Sequence, residues 1–384
     1  MLKKSLLAVT LSTLLAAPAY ADLTINGFAS IKAGVTLDSD DSLYGYDDSL
    51  DFKNESLFAV QLMSDLGDKL SVTAQLMGRG AEDFDVEFEW AFISYQLTDE
   101  IRINAGRLRT PFYKYSDFRD VGYAYDWLRV PQSVYGLGFD NIEGVSFYHT
   151  TQLGNFDSNL QLIVGAYDGD ATVSGNNVDA EIKNVLGVAW ELGRDWYSLR
   201  AAYLTGKVTI DAQSAQLQPG VTFGDFFAGL SGAGFGTLVN EIDINEEDGA
   251  FFGLGFTADK NDWLVVAEYT TVTVDNSFIA DQKNFYVSLG HRFDSITPYI
   301  SYEKEDNDAK AEIYTPFQAT LPPQLFVPVA GIVQSQARKA TTYNLGLRYD
   351  FHPSAAFKLQ YSSEDNEIAD LRQDVMAFGV DLVF

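Results

Sequence analysis

Cysteine is absent from the 384 residues, histidine occurs three times, and basic residues are outnumbered, with 26 Lys+Arg against 54 Asp+Glu. Without thiols there is no disulfide, no thiolate nucleophile and no zinc–thiolate site. The formal net charge of -28 argues against nucleic acid as a partner, because polyanions are held by Lys and Arg that displace counterions. Long apolar runs are missing as well. Beyond the first 21 residues no window holds the ~18 consecutive apolar residues of a membrane-spanning helix. The order D-x-[DN]-x-[DN]-G is also missing, so no calcium loop and no dedicated metal site are expected, and no cofactor is implied.

What the chain does have begins with a leader. Lys3 and Lys4 precede an apolar stretch at 5–17, and Ala19-Tyr20-Ala21 is an A-x-A cleavage site, the three parts of an export signal. Cleavage after Ala21 is expected to leave 384 - 21 = 363 residues, 22–384, and to remove two Lys and no acid, giving a net charge of -28 - 2 = -30. Aromatics make up 14% of the chain, with 21 Tyr and 31 Gly, a composition nearer to sheets than to Leu/Ala-rich helices. The exported chain is therefore either a soluble all-β protein or a barrel that crosses a membrane.

Alternation separates those two. Leu23, Ile25, Ala29, Ile31, Ala33, Val35 and Leu37 share one parity, and Thr24, Asn26, Ser30, Lys32 and Thr36 share the other. One face is apolar and the other wet. Met376, Phe378, Val380, Leu382 and Phe384 repeat the pattern at the far end, and fourteen similar segments lie between, at 58–62, 70–76, 86–97, 101–106, 144–149, 160–166, 185–190, 197–203, 251–256, 263–269, 285–293, 298–303, 343–349 and 357–361. Short polar turns such as Asp65-Leu66-Gly67-Asp68 and Asp259-Lys260-Asn261-Asp262 take turns with long excursions. A soluble sandwich has no reason to segregate its connections by length; a transmembrane antiparallel barrel of sixteen strands does. Tyr95, Tyr197, Tyr203, Trp263, Tyr269, Tyr343, Tyr349 and Tyr361 fall at segment ends, as interfacial girdles require.

Parity then assigns the lumen. Lys32, Arg102, Arg200, Arg292, Arg348 and Lys358 take the wet parity, as does Glu268. Arg107 takes the lipid parity on strict counting. Because Gly106 can relax the strand there and a charge facing lipid costs ~2–4 kcal/mol, Arg107 is expected in the pore. The long connections are acidic: Asp38, Asp40, Asp41, Asp47, Asp48 and Asp51 in the first, 246–248 ending the fifth, 303–308 opening the seventh and 364–370 in the eighth. Such a rim either concentrates cations or bridges lipopolysaccharide through divalent ions.

The A-x-A signal, the opening D-L-T-I-N-G-F-A-S-I-K-A-G, the turn D-L-G-D at 65–68, the stretch N-A-G-R-L-R-T-P-F-Y-K-Y-S-D at 104–117 and the terminal F-G-V-D-L-V-F resemble the Gram-negative outer-membrane porins. The resemblance covers the mature chain and implies a trimer whose third external loop folds inward to narrow the pore, with Phe384 read by the barrel-assembly machinery. The P-E-F-G-G stretch of many general porins is missing. Here the third loop is 108–141. It carries Asp117, Asp120, Asp126 and Asp140 together with Lys114, Arg119 and Arg129, so an inward fold would set carboxylates against the basic wall; the other reading is a solvated surface loop. The expected function is an outer-membrane channel for small hydrophilic solutes and ions, mildly cation-selective. A substrate-selective anion or phosphate channel is the alternative. An outer-membrane hydrolase is the remote one, since His149, His291 and His352 are scattered and no G-x-S-x-G occurs.

Overall fold

The structure, a computed structural model, describes residues 23–173 and 175–384; the leader at 1–21 lies outside the described residues. Sixteen strands close into one antiparallel barrel. In chain order they are β1 (Leu23–Thr36), β2 (Leu57–Gly67), β3 (Leu70–Arg79), β4 (Val86–Gln96), β5 (Ile101–Arg109), β6 (Asn141–Leu153), β7 (Phe156–Val173), β8 (Asn176–Arg194) and β9 (Tyr197–Ile210). A two-stranded ribbon, β10 (Gln216–Gln218) and β11 (Val221–Thr222), stands apart from the barrel. The wall resumes with β12 (Glu247–Lys260), β13 (Trp263–Val274), β14 (Asp281–His291), β15 (Ile296–Asp308), β16 (Arg338–His352), β17 (Ala355–Asn366) and β18 (Leu371–Val383). Each strand pairs with its neighbour in sequence, β9 pairs with β12, and β1 closes on β18.

The alternation is expressed as two faces. Ile31, Phe58, Ile93, Val145, Leu186, Tyr203, Trp263, Tyr343 and Leu345 are exposed on the outside, where lipid and not water is the matching solvent. The opposite parity is polar and buried, with Ser30, Lys32, Asn104, Ser146, Glu268, Asn344, Lys358 and Gln360 on it. The short turns work because their residues accept left-handed backbone: Asp68 and Lys69 have φ of 48° and 68°, and Asn261 and Asp262 have 51° and 67°. Paired positive φ values suit the twist of a two-residue hairpin, and Asp and Asn tolerate them best among non-glycine residues.

The strands run longer than the apolar segments. Glu303, Glu305, Asp306 and Asp308 belong to β15, and Glu364 and Asp365 to β17, not to the loops where the hydrophobic pattern ends. The backbone ladder simply continues past the bilayer, where water imposes no alternation. The fifth and seventh long connections hold helices at Phe223–Gly232, Gly236–Asn240 and Pro323–Gln334. Thr222 and Asp225 form a reciprocal capping box that starts the first of them. Phe223, Phe227, Leu230, Leu238, Val329 and Val333 bury against Val173, Val178 and Val274 at the strand tips, so these two connections make a small apolar core of their own.

Candidate functional site

The connection between β5 and β6, residues 110–140, is built around aromatic side chains. Phe112, Tyr113, Tyr115, Tyr125, Trp127 and Tyr135 are buried with Ile163, Leu204, Phe251, Tyr286 and Tyr299 of the wall. The rings meet edge to face, Trp127 on Tyr286 at 5.5 Å and Phe112 on Phe251 at 4.8 Å, the geometry favoured by their quadrupoles. Polar tips are satisfied at the same time: Trp127 Nε1 donates to Ser288 Oγ at 2.8 Å, and the Tyr135 and Tyr286 hydroxyls both donate to Glu268.

The basic residues of the inner parity meet this segment through its backbone. Arg200 donates to the carbonyls of Pro111 and Phe112 at 2.5 and 2.8 Å. Arg348 donates to those of Tyr123 and Tyr125, both at 2.9 Å. Lys358 donates to those of Gly122 and Trp127 at 2.6 and 2.7 Å and pairs with Asp381 at 2.9 Å. Segment 110–140 has its own charge, Lys114, on Glu191 at 2.9 Å. Three wall cations expected to face the carboxylates of this segment are thus clamps on its peptide oxygens. Backbone carbonyls buried in the segment thereby gain charged donors from the wall.

Near the ends of β3 and β5 the carboxylates are neutralised. Arg109 contacts Glu89, Asp120 and Asp140 at 2.9, 2.6 and 2.5 Å; Arg79 reaches Glu89 at 2.8 Å and Asp120 at 3.5 Å, and Arg119 reaches Asp140 at 2.7 Å. Burial alone would push the Asp120 carboxyl up, but Arg109, Arg119 and Arg79 outweigh it and hold it well below the usual carboxylate range. Arg129 forms a fork on Glu55, 2.8 and 2.6 Å, and its plane covers the Tyr44 ring at 4.4 Å. Arg79, Arg109, Glu89 and Glu55 were not among the sequence candidates. Glu89 is the residue added by a bulge: Gln75 pairs with Trp90 and the adjacent Leu76 with Phe88, so Glu89 turns in while strict alternation misses it.

The other candidates fall into place individually. Lys32 lines a cavity of about 260 Å³ with Glu55, Arg79, Arg119, Asp120 and Arg129. Arg102 lies over the Tyr148 ring at 4.6 Å and shares a cavity of about 370 Å³ with Asp117, Lys69 and Arg109. Asp117 has no ion pair among the described residues. Asp126 lies 3.7 Å from Arg348 in a third cavity of about 410 Å³ that also holds Arg292, Asp294 and Asp350; Arg292 pairs with Asp259 at 2.7 Å. Arg107 departs from expectation. It keeps the parity of Ile103, its side chain 37% exposed and paired at 3.0 Å with Glu143 across the sheet. Gly106, at φ 140°, relaxes without reversing the face, and the pair with Glu143 offsets part of the penalty that argued for the lumen.

Similarity agrees with this architecture. A search of curated protein sequences finds no match. Among solved structures, the outer-membrane channel DcaP of Acinetobacter baumannii superposes with a TM-score of 0.62 at 12% identity, over 96% of this chain and 99% of that one. The anion-selective porin of Comamonas acidovorans gives 0.58 at 12%, over 95% and 100%. The trimer form of the Vibrio cholerae outer-membrane protein OmpT gives 0.56 at 12%, over 95% and 99%. At such identities these likenesses speak to the fold. The family model for Gram-negative porins matches residues 7–310, and with the sixteen-stranded closed barrel around it, the chain belongs to the Gram-negative porins, channel-forming barrels of the outer membrane.

Proposed function

We propose that the protein is a diffusion channel for small hydrophilic solutes, narrowed by segment 110–140 lying across the barrel interior, and that its narrow passage prefers anions. The inward position is supported by bonds from one segment to β9, β13, β14, β16 and β17, strands that a single surface loop could not reach together. The ion preference is carried by charge balance in the two cavities bounded by β1, β3 and β5, since the third, with Asp126, Asp294 and Asp350 against Arg292 and Arg348, is net acidic. The cavity around Lys32 has Lys32, Arg79, Arg119 and Arg129 against Glu55 and Asp120, and the one around Arg102 has Lys69, Arg102 and Arg109 against Asp117.

The total charge of the chain points toward cations, but it resides largely on external loops, where salt screens it within about 8 Å at physiological strength. Asp120 and Asp140, expected to attract cations at the constriction, are matched by Arg109, Arg79 and Arg119. The residues nearest the solute therefore decide the sign. Reversal potentials in asymmetric potassium chloride test this: an anionic preference that persists at molar salt is expected, and a cationic preference at every concentration would refute it. By the resemblance of the fold to a trimer form, a homotrimer in contact with lipopolysaccharide is the proposed assembly. Residues 1–21 are the proposed cleaved signal and 22–384 the barrel.

A further inference from the structure

One quadrant of the inner wall breaks the polar rule. On β8, β9 and β13 the inner parity carries Ala180, Ile182, Leu204, Val208 and Val272, and Phe251 of β12 joins them. Phe112 of segment 110–140 bounds this quadrant, and Ile332, from the helix at Pro323–Gln334, bounds it as well. The side chains do not fill the space between them. A chamber of about 560 Å³ remains, within the range of small-molecule sites.

Charge restricts what it can hold. Among the described residues, the ionisable ones along the chamber besides Tyr167 are Asp170 and Glu181. Both sit on the outward parity of their strands, alternating with the inner Ala171 and Ala180, and Glu181 pairs with Lys183, both side chains more than two-fifths exposed. Among the described residues no cation lines the chamber to receive a carboxylate or phosphate, and an ammonium finds no inward acid. Gln282, Ser335 and Gln336 are neutral polar side chains along it, and Thr172, Asn177, Thr205 and Thr273 line it from the outward parity of their strands. Water in such a chamber forfeits hydrogen bonds that an apolar solute does not need.

We propose that this chamber is a binding site for an uncharged, largely apolar small molecule bearing at most a hydroxyl or carbonyl, distinct from the polar passage beside Lys32 and Arg102. The test uses the full chain in amphipol and the uncharged fluorophore N-phenyl-1-naphthylamine. Saturable binding of one probe per chain is expected, and Ala180→Phe, which fills the chamber from the wall, should weaken it about tenfold or more. Leu186→Ala, on the outward face of the same strand, should leave it unchanged. If Ala180→Phe does not give a heat-modifiable folded band, Ile332→Trp serves from outside the barrel wall. The anionic relative 8-anilino-1-naphthalenesulfonate should bind about tenfold more weakly; equal affinity would overturn the assignment of an uncharged ligand. A signal that never saturates, or that survives both filling variants, would overturn the site itself. Reversal potentials of Ala180→Phe should match the parent, so a failure of this site is read separately from a failure of the proposed ion preference.

Discussion

Lys358 offers the most direct test of how segment 110–140 is held. Its side chain is 0% exposed, and its Nζ serves two carbonyls of the segment and one carboxylate of β18. Lys358→Met keeps the volume and removes the charge. It leaves Asp381, 1% exposed, with the Ser30 hydroxyl at 2.5 Å as its remaining donor and without its paired ammonium. Breaking a buried pair from one side costs about 3–5 kcal/mol, whereas removing both charges is far milder. The single variant should therefore lose about 3–5 kcal/mol, and Lys358→Met/Asp381→Asn should recover about 2 kcal/mol of it, the residue being the two lost carbonyl bonds at about 1 kcal/mol each. The assay is equilibrium unfolding in lipid vesicles, followed by heat-modifiable mobility, over the full double-mutant cycle. Additive effects, with a coupling below about 0.5 kcal/mol, would refute the view that Lys358 acts as a paired clamp.

Further outcomes follow from the same geometry. Asp120→Asn leaves three guanidinium groups under-compensated and should destabilise the barrel by about 3 kcal/mol, whereas Asp117→Asn, which breaks no ion pair, should leave stability unchanged and raise anion preference. Because the folded Asp120 carboxyl is held below its ordinary range, its contribution is complete above the unfolded value of about 4 and is lost only as pH falls through the depressed folded one; the gap between parent and Asp120→Asn should be flat from pH 7 to about 5 and close in stronger acid. Arg102→Gln should lower anion preference at high salt, while Arg107→Gln, on the outer face, should not move the reversal potential; a shift with Arg107 alone would return it to the lumen. Deleting Phe384 removes two backbone bonds to Gly27 and a stacked contact with Phe58 at 5.7 Å and should reduce the folded, heat-modifiable protein recovered from the membrane.

The wall was legible because lipid writes a period of two into it: Ile31 beside Lys32, or Leu345 beside Asn344, state their faces locally. The same parity reads Lys32, Arg102, Arg200, Arg348 and Lys358 as inward, since a charge between two apolar outward neighbours has one direction open. What it could not convey was their partners. The carbonyls of Gly122 and Trp127 are more than 230 positions from Lys358, and no spacing encodes a backbone oxygen. Bulges hid another part. The register shift between Lys183 and Leu186, with Asn184 at φ 53°, resets the parity of β8, so the apolar inner run from Val178 to Ile182 does not continue the alternation read at 185–190. The helix at Pro323–Gln334 lay in a stretch that strand logic treats only as a connection, although its apolar residues Leu325, Val329, Ile332 and Val333 recur at helical spacing.

The seam between β1 and β18 has a consequence for how this wall comes into being. Ser30 meets Asp381 across 351 positions, and β1 is flanked on one side by β2, its sequence neighbour, and on the other by β18. Every other junction can form as a local hairpin or near neighbour, but this one waits for the whole circuit. Until then two rows of amide groups stand unpaired, a state that hydrocarbon penalises heavily and that invites pairing with a foreign edge. Closure is thus a late, slow and all-or-none step, imposed by contact order. The first and last strands form the gate through which the finished cylinder is made.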